Sequence, residues 1–386
     1  MKSICAVEGV RAAGVKEGKF GLALIEARGT AAAVFTRNQI VAEPVKLMKA
    51  RMQAGSLDGI IVNSGNANVY TGDAGAAAAR RMCEIAAAAF GTTPNRVGVA
   101  STGVIGRFPD VGLIERQCTV IAPRLRCDAT AEDDAATAIM TTDLYPKHAL
   151  SCREGFSVAG ITKGSGMIAP NMGTMLAFLY TDAALSADEL HAALTTAVDH
   201  SFNRVVVDGD TSTNDCVFLT ATARKGRPDA GTFQAALEEV CVSLARQIAA
   251  DGEGATKLLE VRVCGARTED EAAAVARTVV GSSLVKTAVY GRDPNWGRIV
   301  AAAGRAGVPL DPVKVTVSLI SAGREVVFAQ NGAILADPAA LAEAKELMAG
   351  DTVTFALDLG EGGASATAWG CDLTEKYVEI NGKYTT

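Results

Sequence analysis

Short apolar runs alternating with alanine-rich stretches constrain this 386-residue chain more than any other feature. Residues 59–62 read as a buried strand ending in a polar loop over 63–68, and residues 96–100 as a strand entering a turn at 101–106. Between them, residues 74–90 are rich in alanine and predict a helix, because alanine loses no side-chain entropy on becoming helical. Strand, helix and strand in succession imply an α/β layered core. Nearer the start, the apolar runs 21–25 and 31–35 are separated by Arg28-Gly29, which predicts an early hairpin.

The second half carries clearer periodicity. Leu237, Val240, Leu244 and Ile248 recur at helical spacing, so residues 232–250 should form an amphipathic helix. Residues 258–263 predict a strand, and Thr268 with Glu271 predicts a capping box opening a helix that runs to Gly281. Val313, Val315, Val317 and Leu319 alternate with other residues at period two, as a half-buried strand should. Further strands are expected over 351–359 and 364–369, on either side of a glycine-rich turn. A chain of this length buries a large core and predicts two or more domains.

Composition narrows the function. Apolar residues make up 49% and charged residues 21%, the balance of a globular chain. A net charge of −6 argues against nucleic acid or a membrane surface as partner and suits small-molecule chemistry. Nine cysteines without a Cys-x-x-Cys pair, and only three histidines, argue against a zinc site and predict buried free thiols in a reducing cytosol. No signal-peptide pattern and no membrane-length apolar run is visible, so the expectation is a cytoplasmic, metal-free protein.

One stretch suggests chemistry. Asn-Met-Gly-Thr-Met-Leu-Ala-Phe, residues 171–178, follows the glycine-rich run 163–170. A lone threonine hydroxyl needs a neighbouring base to act as a nucleophile. Cutting the chain between Gly173 and Thr174 would make the new α-amine that base, since it titrates at about 7.7–8.0. On residue chemistry alone, a threonine opening an apolar strand is usually just a strand residue. Residues 208–215 are rich in oxygen ligands, but no glutamate stands twelfth from Asp208, so a supporting turn is preferred to a calcium loop. Gly164-Ser165-Gly166 matches neither nucleotide fingerprint. Trp296 suits a functional loop or core packing equally well.

The stretch 163–178 resembles the signature of the ornithine acetyltransferase family, the self-cleaving glutamate N-acetyltransferases of arginine biosynthesis. Asn63-Ser-Gly-Asn-Ala-Asn68, Ser101-Thr-Gly-Val-Ile-Gly106 and Met140-Thr-Thr-Asp143 are similar to family blocks. So are residues 207–215, 251–257 and 293–298, and the ending 377–386, all in family order. Gly173 stands where the family usually has alanine. The resemblance implies an α/β/β/α sandwich of the N-terminal-nucleophile type, built from two fragments, residues 1–173 and 174–386. It implies Thr174 as nucleophile, Thr102 and Gly103 as the oxyanion hole, and Thr141, Lys163, Thr174, Glu253, Asn381 and Thr386 as substrate ligands, with Thr142 the alternative to Thr141.

The reaction so implied is ping-pong acetyl transfer from N2-acetyl-L-ornithine to L-glutamate, through an acetyl-threonine enzyme. It needs no cofactor, although some members also accept acetyl-CoA as donor. The implied assembly is two copies of each fragment. Three other readings stay open: an N-terminal-nucleophile amidohydrolase or aminopeptidase, in which water replaces glutamate; a side-branch acetyltransferase of the same family; and a non-enzymatic binding protein with an uncut chain.

Overall fold

The apolar runs that read as strands collect into two sheets, one in each of two units of the chain. In a computed structural model of the protein, residues 3–169 and 175–383 are described. The first unit comprises Met1–Met167, Asn171–Asn203 and Asp210–Leu244; the second comprises Ile168–Pro170, Arg204–Gly209 and Ala245–Thr386.

In the first unit, β1 (Arg11–Glu17), β2 (Phe20–Phe35), β3 (Ser56–Asn66), β4 (Val97–Val104), β5 (Lys147–Arg153), β6 (Phe156–Lys163), β7 (Leu176–Thr181) and β9 (Cys216–Ala221) form an eight-stranded sheet among the described residues. Its order is β4-β3-β2-β9-β7-β6-β5, with β1 also paired to β2. Strands β1 to β6 precede the Gly173–Thr174 bond and β7 and β9 follow it, so a cut there would leave one sheet made from both pieces. Helices α2 (Gly72–Phe90), α3 (Val111–Ile121) and α4 (Ala129–Ala138) lay apolar faces on this sheet. Among the buried residues of α2, Ala78, Ala79, Met82, Cys83, Ala86 and Phe90 recur at helical spacing, and each large side chain so buried contributes roughly 1.5–3 kcal/mol.

The expected hairpin around Arg28-Gly29 is not formed. Strand β2 is one strand of 16 residues, bulged between Glu26 and Gly29. Residues 20–26 pair with β1, and residues 30–35 pair with β9. Gly29 takes the bulge because any Cβ there would fall 1.8 Å from the carbonyl oxygen of Ala221. The actual hairpin joins β1 to β2 one turn earlier, at Gly18, whose φ is +59°. Strands β3 and β4 also run further than expected, so Asn63 and Thr102 are strand residues rather than loop or turn residues.

The second unit holds β8 (Val205–Val206), β10 (Leu258–Ala266), β11 (Thr316–Ser321), β12 (Arg324–Gln330), β13 (Ala333–Ile334), β14 (Thr352–Asp358) and β15 (Ala364–Cys371), in the order β13-β12-β11-β14-β10-β15-β8. The two strands flanking the glycine-rich turn do not pair with each other. Both take β10 as partner, β14 in parallel and β15 in antiparallel. Helix α7 (Glu269–Val280) packs Ala272, Val275, Ala276 and Val279 into this unit's core. Thr268 caps it by accepting from the Glu271 N–H, but the Glu271 carboxylate turns to Arg267, so only half of the expected box exists. Val313 and Val315 lie before β11, and of the alternating set Val317 and Leu319 are buried.

Helix α6 (Ala230–Ala250) matches the periodic segment, starting two residues early. All nine cysteines are free thiols; Cys127, Cys152 and Cys264 are exposed rather than buried. Among the described residues, no single helix is long and apolar enough to cross a membrane. The chain is a layered α/β protein.

Candidate active site

Parallel pairing of β3 with β4 places Ser64 opposite Thr102 and Gly65 opposite Gly103. Gly103 has φ +132°, and a Cβ on it would sit 2.3 Å from the carbonyl carbon of Gly65, so only glycine lets the two strand ends approach this closely. Beside it, the side chain of Thr102 is buried and accepts a hydrogen bond from Lys163 Nζ at 3.2 Å. Lys163 is the last residue of β6 and is also buried. A threonine hydroxyl that accepts from an ammonium keeps its own proton to donate, and the neighbouring charge strengthens that donation. The pair can therefore stabilise a negative oxygen.

Asp143 anchors the next corner. Its Oδ1 accepts from Lys147 Nζ at 2.8 Å and from the Gly164 N–H at 2.6 Å, while Oδ2 accepts from the Thr141 N–H at 3.0 Å. Burial pushes this carboxyl up, but the charges of Lys163 and Lys147 and the donated bonds outweigh it and hold the group at about 2. One carboxylate thus ties the loop carrying Thr141 to the turn after Lys163. Thr141 and Thr142 are both half-buried, and the structure leaves the choice between them as it was.

Asp215 behaves in the opposite way. Its Oδ1 accepts from the Met175 N–H at 2.8 Å, and its Oδ2 has no hydrogen-bond partner among the described residues. Burial drives its carboxyl well above the usual range, against the pull of the Met175 bond and the Lys163 charge. Before it, Asn214 Nδ2 donates to the carbonyl oxygens of Ala67 at 2.6 Å and Ser101 at 2.8 Å, binding this loop to the ends of β3 and β4.

In the second unit, Glu253 is buried and its Oε2 accepts from Asn381 Nδ2 at 2.7 Å. Asn381 lies on α11 (Glu375–Gly382), whose N-terminal Thr374 donates through Oγ1 to the Gly254 carbonyl at 2.7 Å. The candidates therefore gather as two sets: Thr102, Gly103, Thr141 and Lys163 in the first unit, Glu253 and Asn381 in the second. Gly173, Thr174 and Thr386 lie outside the described residues. Sequence reasoning gave no role to Asp143 or Asp215, although each ends a motif it had singled out. It passed over Lys16 entirely. Among the described residues, no group of three or more His, Cys, Asp or Glu could hold a metal ion.

The ArgJ family model matches residues 7–386. The chain belongs to the ArgJ family. Among its ArgJ-family relatives, the glutamate N-acetyltransferase of Methanosarcina mazei is 49% identical over 391 residues, covering 99% of this chain and 98% of that protein. The arginine biosynthesis bifunctional protein ArgJ of Archaeoglobus fulgidus is 45% identical, covering 99% and 100%. A crystal structure of the ArgJ protein from Bacillus halodurans is similar at 41% identity over 53% of this chain and 96% of its own, with a TM-score of 0.49.

Proposed function

We propose that this protein transfers an acetyl group from N2-acetyl-L-ornithine to L-glutamate through an acetyl ester on Thr174. That it is an acyltransferase of arginine biosynthesis follows from family membership and from relatives matched over nearly the whole chain. The observation that carries the mechanism is the buried Lys163–Thr102 pair beside Gly103. It offers hydrogen-bond donors for an oxyanion, the term that acyl transfer depends on most.

The chain is cut between Gly173 and Thr174, giving fragments 1–173 and 174–386 that stay together in the first sheet, two copies of each forming the assembly. The freed α-amine of Thr174 takes the hydroxyl proton as Thr174 Oγ1 attacks the acetyl carbonyl. Thr102 and Gly103 stabilise the tetrahedral oxyanion, and ornithine leaves with the returned proton. The amine of glutamate then attacks the ester and departs as N-acetylglutamate, restoring the hydroxyl. Lys163 holds the substrate carboxylate, with Thr141 beside it; Glu253 meets the ornithine ammonium, with Asn381 and Thr386 completing the binding set. The donor carries its own acetyl group, so no cofactor enters, and acetyl-CoA is a second donor to be tested. The protein works in the cytoplasm.

Intact mass of the purified protein, with and without acetylornithine, tests this reading. Two fragments meeting at Gly173–Thr174, an acetyl adduct on the larger one, and loss of both in Thr174→Ala are expected. An uncut chain with no adduct would overturn it, and acetate formed at the same rate whether or not glutamate is present would favour the hydrolase.

A further inference from the structure

Lys16, on β1, reaches into the same corner of the first unit. Its Nζ donates to Ser64 Oγ at 3.0 Å and to the carbonyl oxygen of Met140, directly before Thr141. Those are its two hydrogen bonds among the described residues, so one of its three N–H groups is left for another acceptor. Ser64 in turn donates to the carbonyl oxygen of Ala138 at 2.7 Å, which leaves its hydroxyl committed.

Ser64 is the register partner of Thr102, so the hydroxyls that Lys16 and Lys163 approach stand on adjacent strands and on one face of the sheet. Two ammonium groups therefore converge within roughly two strand spacings, each spacing being about 4.8 Å. Lys147 is paired with Asp143 at 2.8 Å. Burial, together with the charge of Lys163, brings Lys16 down to about 8 even though Asp143 pulls it back up.

Holding the Met140 carbonyl, just past the end of α4, is a structural role that one bond fills. The two substrates differ in the way that would use a second cation. Donor and acceptor share an α-carboxylate; the ornithine side chain ends in an ammonium, while glutamate ends in a second carboxylate. We propose that Lys16 is the acceptor-specific cation, holding the side-chain carboxylate of glutamate while Lys163 holds the α-carboxylate common to both substrates. This rests on the transfer reading above and names the residue that sets its acceptor.

The test compares L-glutamate with L-glutamine, which has the same length but no side-chain charge, as acceptors from the acetylated full-length enzyme. The wild type should favour glutamate by at least 30-fold in kcat/KM. In Lys16→Met that preference should fall below threefold, mainly through a higher KM for glutamate, and Lys16→Arg should restore part of it. Ornithine released from acetylornithine without acceptor reports the first half-reaction and intact folding, and should fall by less than threefold. A glutamate preference unchanged in Lys16→Met would overturn the proposal. So would an equal loss with both acceptors and in ornithine release, which would make Lys16 a general scaffold. Failure of the wild type to make N-acetylglutamate would instead remove the transfer reading itself, and the proposal with it.

Discussion

Asp143 and Asp215 are both buried in the first unit and both feel the charge of Lys163, yet their carboxyls are shifted in opposite directions. Asp143 receives Lys147, the Gly164 N–H and the Thr141 N–H, enough charge and donors to keep it ionised despite its burial. Asp215 receives the Met175 N–H on one oxygen and leaves the other without a partner among the described residues. Desolvation acts on both; what differs is the supply of donors. Asp143 is a charged anchor for the loop beside Lys163. Asp215 is a carboxyl raised by burial whose hydrogen-bond donor, Met175, is covalently attached to the proposed nucleophile.

Removing the anchor should have the largest effect. Asp143→Ala takes the carboxylate away from the buried Lys147 and should cost about 3–5 kcal/mol in denaturant unfolding. Because the folded pKa of Asp143 is depressed, its contribution is complete above the unfolded value near 4 and is lost as pH falls towards 2. Wild-type stability should drop there by on the order of 2 kcal/mol, and Asp143→Ala should lack that component. If the variant keeps the same acid slope, the carboxylate is not the anchor.

Lys163 is the charge the two aspartates share, so Lys163→Met sharpens the comparison through catalysis. It removes the ammonium that Thr102 accepts from, and formation of the acetyl-enzyme should slow on the order of 100-fold. Single-turnover ornithine release measures this, and a loss under threefold would mean that the Lys163–Thr102 contact is only packing.

The smallest effect is expected at Asp215, with the opposite sign to Asp143. A raised folded pKa means that stability is lost as pH rises above the unfolded value near 4, because the unfolded chain ionises there before the folded one does. Asp215→Asn keeps an acceptor for the Met175 N–H and cannot ionise, so it should match the wild type near pH 4 and exceed it at pH 7. Chemical denaturation at the two pH values checks this; a destabilised variant at pH 7 would show that Asp215 is held as a carboxylate.

Much of the fold was legible because its signals are local. The alanine run of α2 and the 237–248 periodicity of α6 predicted helices to within two residues. The Arg28-Gly29 step misled because a glycine between apolar runs signals a turn and a bulge alike. Only the approach of Ala221 from β9, about 190 residues away, turns it into a bulge. In the site, the Thr102-Gly103 and Lys163 motifs were visible as motifs, but their hydrogen bond was not. Lys16 carried no signal, since a lysine near a hairpin turn reads as a solvated charge until Ser64 and Met140 are brought to it.

By itself, then, the sequence determined the family, the α/β class and the order of the motifs, because residue type, spacing and periodicity are properties of neighbouring residues. The opposite shifts of Asp143 and Asp215, and the convergence of Lys16 with Lys163, were decided only by the tertiary structure. A pKa is a free-energy difference between two charge states in one environment, and here that environment is assembled from β1, β3, β4, β6 and the loops beside them.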